Sequence, residues 1–424
     1  MESKAVLNFK DNFYSLFGKL DKNYYSHVDG LRAISLIWVV VFHMYWFLGY
    51  ILPVNEYEKV FNNPYNLPIF SGTYAVDVFF VISGFLVGKI IFTEVQKEKQ
   101  FNLKNFYLRR ALRLLPMYYL ALILLMLITD KNREHVWTNF LYINNYIPIQ
   151  EQFMVWSWSL AIEEHFYIFF PLFVLFFNPL KRYFLWICMS LMVIWIGIRY
   201  SIMVDSEVVL PLRTHPKVNP ESYFVYFNEM YGVTHARYGS ILAGVIVAWL
   251  FQFTNTVQVL SKNALLRRSL SIISAAIFIG LCCTSLSDTP QIFVDNSVHF
   301  LVWFRPLFAL SISYMIIYPF TEQGKNGFLA RFLSVGFFRP IARVSYSAYL
   351  IHTVLIGLCF KFIYMPVNGE NQLILVPFSV LILFVVFVVS ALFYSFWEKP
   401  FIDLRKFWKF EKKDAANRKP IESR

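Results

Sequence analysis

The sequence predicts an all-α integral membrane protein of about ten spans, with both termini on the cytoplasmic side. Three observations carry that prediction. The first is composition. Residues of the AVILMFWYC set make up 57% of the 424-residue chain and charged residues only 16%. Soluble domains carry about 25% charged residues, so this chain lacks the groups to face water. Disorder is excluded on the same ground. The second is an aromatic content of 20%, which suits long apolar spans with Trp and Tyr belts at the lipid interface.

The third is the order of apolar runs and basic loops. Apolar runs fall near 31–52, 73–94, 108–129, 156–177, 183–204, 233–253, 269–288, 297–320, 340–361 and 372–397. Each is close to the roughly 20 residues that cross the hydrocarbon core. Two of them, 233–253 and 297–320, carry internal Arg and His. Segments on one side (1–29, 95–113, 178–182, 254–268, 321–343 and 398–424) hold 28 Lys and Arg, and those on the other side hold 5. The positive-inside rule places the basic side in the cytoplasm. The formal charge of +12 therefore reports topology. Anionic lipid headgroups are the expected partners, and nucleic acid has no role.

Residues 1–29 form a polar N-terminal segment with no cleavable signal peptide. Within 8–20, Phe9, Phe13, Leu16 and Phe17 recur at helical spacing, which predicts a short interfacial helix. The membrane domain is expected over 30–400, and 401–424 is a charged tail, frayed from Lys409. Cys188, Cys282, Cys283 and Cys359 all lie in apolar runs without CxxC or CxxH spacing. They are expected as buried free thiols, and no metal site is indicated.

Ionisable groups inside spans cost several kcal/mol unless paired, so each is a functional candidate. In the first span Arg32 and His43 are eleven residues apart, three turns and about 20°, on one helix face. That puts Arg32 at the cytoplasmic edge and His43 roughly 16 Å deeper, near mid-bilayer. A mid-span His suits proton transfer; a helix–helix hydrogen bond is the structural alternative. The third span opens with Arg109, Arg110 and Arg113. They form either a topology anchor or a clamp for the phosphates of a cytoplasmic cofactor. The second span carries Asp77 near its outer end and Ser83–Gly84 at its middle. In the fourth, Ser159, Glu163 and Tyr167 share a face, while the adjacent Glu163 and Glu164 point about 100° apart. The eighth holds Arg305, and the ninth aligns Ser345, Tyr349 and His352 on one face. GxSxG, P-loop, GxGxxG and HExxH signatures are absent from the sequence.

Six segments in order resemble the acyltransferase 3 family of integral-membrane O-acyltransferases. They are HVDGLRAISLIWVVVFH (27–43), YAVDVFFVISGFLVG (74–88), FYLRRALRLLPMYYL (106–120), WSLAIEEHFYIFFPL (158–172), ARVSYSAYLIH (342–352) and FWEKPFIDL (396–404). The resemblance covers about residues 25–405. It implies a ten-span core that moves an acyl group, usually acetyl, from cytoplasmic acyl-CoA to a hydroxyl, mostly on cell-surface carbohydrate. The family's Arg-x10-His pair falls on Arg32 and His43, its arginine motif on Arg109, Arg110 and Arg113, and its acidic motif on Glu163 and Glu164. The extra extracytoplasmic domain of some members is not expected here.

Together these readings predict an O-acetyltransferase of a bacterial inner membrane. Acetyl-CoA would bind through Arg32, Arg109, Arg110 and Arg113. His43 would be general base or nucleophile, oriented by Glu163 or Glu164. Asp77, Ser159, Tyr167 and His352 would bind the acceptor carbohydrate, free or lipid-linked; His352 is otherwise a structural hydrogen bonder. The rival classes are a multi-pass transporter of a small polar or anionic substrate and a non-catalytic scaffold. The sequence lacks the inverted repeats and paired broken helices common in transporters.

Overall fold

A computed structural model describes residues 8–18, 25–98, 101–205, 215–283, 297–363 and 369–405. Those residues contain no strand. The tail from Lys409 lies outside them. Ten helical segments are long and apolar enough to cross a membrane: Ser26–Ile51, Pro64–Gln96, Leu103–Ile128, Val155–Phe177, Phe184–Asp205, Thr234–Phe253, Ala264–Cys283, Val298–Phe320, Ser345–Phe362 and Leu375–Leu404. They are numbered here as the first to tenth spans.

The boundaries depart from the hydropathy limits for local reasons. The first span starts at Ser26, because Asp29 in its opening turn complements the helix dipole. The ninth starts at Ser345, after a separate short helix, Phe338–Arg343, and a break at Val344. The seventh is described as far as Cys283. The predicted N-terminal helix forms over Phe9–Ser15, capped by the Asn8 side chain. It is docked on protein: Leu16 packs on Val344, Ala391 and Tyr394, and Asn12 donates to the Ser395 carbonyl at 3.1 Å. Cys188, Cys282 and Cys359 are buried, but Cys283 is exposed, a correction to the expectation of four buried thiols.

The spans form two packed groups. The second, sixth and eighth spans share the largest apolar core, with the fourth and fifth against it. The first, ninth and tenth share another, closed at one end by the short helix Val54–Phe61. Beyond that end, outside the spans, His215 donates from Nε2 to the Trp46 carbonyl at 3.2 Å. Burial pushes its imidazole down to about 4, helped by nearby Lys217, so it stays neutral near pH 7.

The closest helix contact lies between the second and sixth spans. A Cβ on Gly84 would collide with the Ile241 carbonyl, and one on Gly244 with the Val81 carbonyl. The two glycines let the backbones touch, which gives apolar helices dispersion contact that lipid cannot. Nothing lies within 4 Å of a Cβ placed on Gly197. Gly84→Ala should therefore destabilise by about 1–3 kcal/mol, because backbone must shift. Gly197→Ala should be neutral or stabilising by about 0.5–1 kcal/mol. Thermal unfolding in nanodiscs checks both; equal effects would contradict the close approach.

Candidate active site

Two cavities approach each other from opposite ends of the bundle. The first, about 480 Å³, lies where the basic segments gather. Its cations are Arg32 from the start of the first span, Lys89 from the end of the second, and Arg110 and Arg113 from the start of the third. The second, about 640 Å³, lies at the other end. It is walled by aromatic residues, among them Trp46, Tyr50, Trp156 and Tyr223. Val76 and Tyr349 border both cavities. The partition between the two is therefore about one side chain thick.

Tyr349 is held rigidly in that partition. Its hydroxyl donates to the Trp156 carbonyl at 3.1 Å, so the 2.5 Å contact with Ser159 must be a bond that Ser159 donates. One face of the ninth span thus runs the length of the site. Ser345 accepts from Arg32 at 3.0 Å, Tyr349 forms the partition, and His352 meets His43.

His43 lines the aromatic cavity. Its Nδ1 lies 2.9 Å from the Val39 carbonyl and 3.3 Å from His352 Nε2. His352 Nδ1 lies 2.7 Å from the Tyr349 carbonyl. Carbonyls only accept, so Nδ1 of each neutral ring carries the proton. His352 Nε2 then accepts from the forked N–H of His43. This leaves His43 Nε2 as a bare lone pair, with no protein partner among the described residues. A histidine fixed in one tautomer with its other nitrogen free is arranged to take a proton or attack a carbon.

The remaining candidates separate by location. Arg110 and Arg113 line the basic cavity, with the Arg110 guanidinium 5.0 Å from the Tyr167 ring. Arg109 does not join them; it turns outward to pair with Glu94 at 2.8 Å. Glu163 sits in the basic cavity and accepts from Tyr167 at 2.6 Å, where it balances Arg32 and Arg110. Glu164 lines neither cavity and is closest in charge to Glu163 and Arg110. Neither carboxylate reaches His43; the neutral His352 occupies the orienting position expected for them.

The four residues expected to bind the acceptor are not among those lining the aromatic cavity. Ser159 and Tyr167 do share a face with Glu163, but that face borders the basic cavity, away from the expected acceptor side. Both hydroxyl protons are already given, to Tyr349 and Glu163. His352 is completely buried behind His43. Asp77 is completely buried too. Arg237 Nη2 lies 3.3 Å from both its oxygens, Ser240 donates at 2.7 Å, and Arg305 closes the cluster. Both its oxygens are committed to arginines from two other spans and to Ser240.

Sequence reasoning passed over three groups. Lys89 stands in the basic cavity with Tyr25 and Phe251 rings about it. Glu398, in the FWEKP segment, accepts from Ser347 and faces Arg113 and Arg32. Arg237 was noticed only as a charge within an apolar run. The available signal was the default that a charge in a span needs a partner, applied to Asp77 and Arg237 together.

The fold and site define a multi-pass integral membrane protein with a poised histidine lining one of two adjoining cavities. The family model described as the acyltransferase domain matches residues 25–395, and the chain belongs to that acyltransferase 3 family. It is similar to the peptidoglycan O-acetyltransferase OatA of Listeria monocytogenes, 26% identical over 80% of this chain and 50% of the relative. It is also similar to the O-acetyltransferase OatA of Staphylococcus aureus, 25% identical over 79% of this chain and 52% of the relative. A third relative is the nose resistant to fluoxetine protein 6 of Caenorhabditis elegans, 22% identical over 88% and 50% respectively. The chain thus spans about half the length of the curated relatives it matches. No solved structure matches it.

The tautomer assignment predicts a difference in reactivity. Diethyl pyrocarbonate acylates an unprotonated, accessible imidazole nitrogen. His43 should be modified at least tenfold faster than His352 when peptides are mapped by mass spectrometry. Faster modification of His352 would contradict the assignment.

Proposed function

We propose that this chain is an O-acetyltransferase of a bacterial cytoplasmic membrane, moving acetyl from cytoplasmic acetyl-CoA to a hydroxyl of a cell-surface carbohydrate. The observation that carries the reading is the pair of cavities meeting at Val76 and Tyr349, one cationic and one aromatic, with His43 beside the partition. The 28-to-5 distribution of Lys and Arg supports a cytoplasmic basic end, and with it both termini inside. The names of the bacterial relatives support acetyl as the group moved and make peptidoglycan the first acceptor to test.

In this reading the CoA phosphates rest on Arg32, Arg110, Arg113 and Lys89. The pantetheine arm carries the thioester past Tyr349 toward His43, about 16 Å from the level of Arg32. One route has His43 Nε2 take the proton of the acceptor hydroxyl as its oxygen attacks the thioester carbonyl. The C–O bond forms, the C–S bond breaks, and the proton passes to the CoA thiolate. In the other, Nε2 attacks the thioester carbon first and the C–S bond breaks with CoA thiolate leaving; the hydroxyl oxygen then attacks the acetyl-imidazolium, the C–N bond breaks, and the hydroxyl proton passes to the thiolate. His352 is a positioning residue in both, holding the His43 ring.

A transporter would also use back-to-back cavities, but it would move its substrate with no thioester cleaved. Membrane vesicles supplied with labelled acetyl-CoA separate the two classes. Label should enter alkali-labile carbohydrate ester with the parent protein. His43→Ala should lower that rate about 10²–10⁴-fold while the protein remains folded. Full activity in that variant would overturn the mechanism. Arg110→Ala should raise the apparent KM for acetyl-CoA about tenfold, the equivalent of about 1.4 kcal/mol. An unchanged KM would remove Arg110 from the donor site.

A further inference from the structure

Arg237 and Arg305 converge from the sixth and eighth spans on a single carboxylate, Asp77, and Arg199 of the fifth span is bonded to backbone of those same two spans; all four groups are at most 2% exposed. The Asp77 oxygens are already committed to Arg237, Arg305 and Ser240. Arg199 gives its protons to the carbonyls of Val302, Ala236 and Leu301, which are dipoles without a countercharge. Arg237 retains Nε and Nη1 with no hydrogen-bond partner, and its guanidinium stands 4.9 Å from the Tyr231 ring. The three buried guanidiniums of these spans thus have one buried carboxylate among them, an excess of two positive charges. Uncompensated buried charge is costly, and an added anion relieves that cost.

Arg305 alone of the three borders the aromatic cavity. Its Nη2 has only a long 3.4 Å contact with Tyr226 on that side. The other cation among the lining residues is Lys131, and no Asp or Glu is among them. A low-dielectric cavity lined by one sign of charge concentrates ligands of the other sign. A guanidinium edge is matched in shape to a carboxylate or phosphate.

We infer that the aromatic cavity selects an acceptor bearing a negative group, a carboxylate or a phosphate, and that Arg305 receives it. The inference rests on the carbohydrate-acceptor reading and adds the charge class of that carbohydrate. The aromatic walls take the sugar faces, and the anion on Arg305 fixes which hydroxyl reaches His43.

Direct binding tests this without turnover. Calorimetry on the full chain in nanodiscs would compare a galacturonic acid trisaccharide with its carboxyl-reduced counterpart, and maltotriose carrying one phosphate with maltotriose. At least one charged sugar should bind tenfold or more tighter than its neutral partner, and the two pairs distinguish carboxylate from phosphate. Arg305→Gln should abolish the preference, bringing the affinity of each charged sugar to that of its neutral partner in the same variant. That variant keeps Arg237 and Ser240 on Asp77, and its thermal unfolding in nanodiscs, compared with that of Arg305→Lys, separates a lost preference from a lost fold. Arg305→Lys should restore part of the preference. Equal binding within both pairs, or a preference that survives in Arg305→Gln, would overturn the inference. Transfer that depends on His43 but ignores acceptor charge would overturn it alone. Absence of both sugar binding and transfer would overturn the acceptor reading with it.

Discussion

Asp77 has no contact with water, and arginines from the sixth and eighth spans close on it. Breaking such a buried pair costs several kcal/mol, because it strands a charge in a medium that cannot solvate it. The ion cluster therefore ties together spans whose shared core is otherwise apolar around the Gly84–Gly244 approach, with Gln252 hydrogen-bonded to Thr93 and Gln96 at their ends. Tyr231 completes it, with guanidiniums 4.9 Å from its ring, and a π-helical turn over Phe227–Tyr231 delivers that ring. With this half of the bundle fixed, the first and ninth spans have a wall to pack against, and the partition between the cavities acquires a defined position.

The site divides its chemistry by electrostatics. Cations collect at the basic end, where Glu163 moderates them. Around His43 the ring contacts are Phe42 and His352. A neutral histidine as orienting partner, rather than a carboxylate, avoids placing an unbalanced anion in the low-dielectric middle of the bundle. Tyr349 separates the two regions through a hydroxyl fully used by Ser159 and Trp156. The partition is thus polar at the Tyr349 hydroxyl and apolar at the Tyr349 ring and Val76.

Much of this was legible in the sequence. The ten spans follow from hydrophobic length alone, and the shared faces of Ser159, Glu163 and Tyr167 and of Ser345, Tyr349 and His352 follow from helical spacing. What those faces meet does not follow from spacing. His352 lies against His43 because the first and ninth spans are neighbours, a tertiary fact no local pattern encodes. Asp77 reads as a ligand group until Arg237 and Arg305 are seen to converge on it from 160 and 228 positions away. Arg109 and Arg110 are adjacent in sequence, yet one pairs with Glu94 and the other enters the cavity. A 100° turn decides between them, and only the position of neighbouring spans sets its sense.

The central claim is that donor and acceptor reach His43 from opposite faces of the membrane. Proteoliposomes containing the full chain, with labelled acetyl-CoA sealed inside and carbohydrate supplied only outside, test it most directly. The account predicts acetyl ester on the outer carbohydrate with free CoA retained in the lumen. Ester formed only when donor and acceptor share one compartment would contradict it.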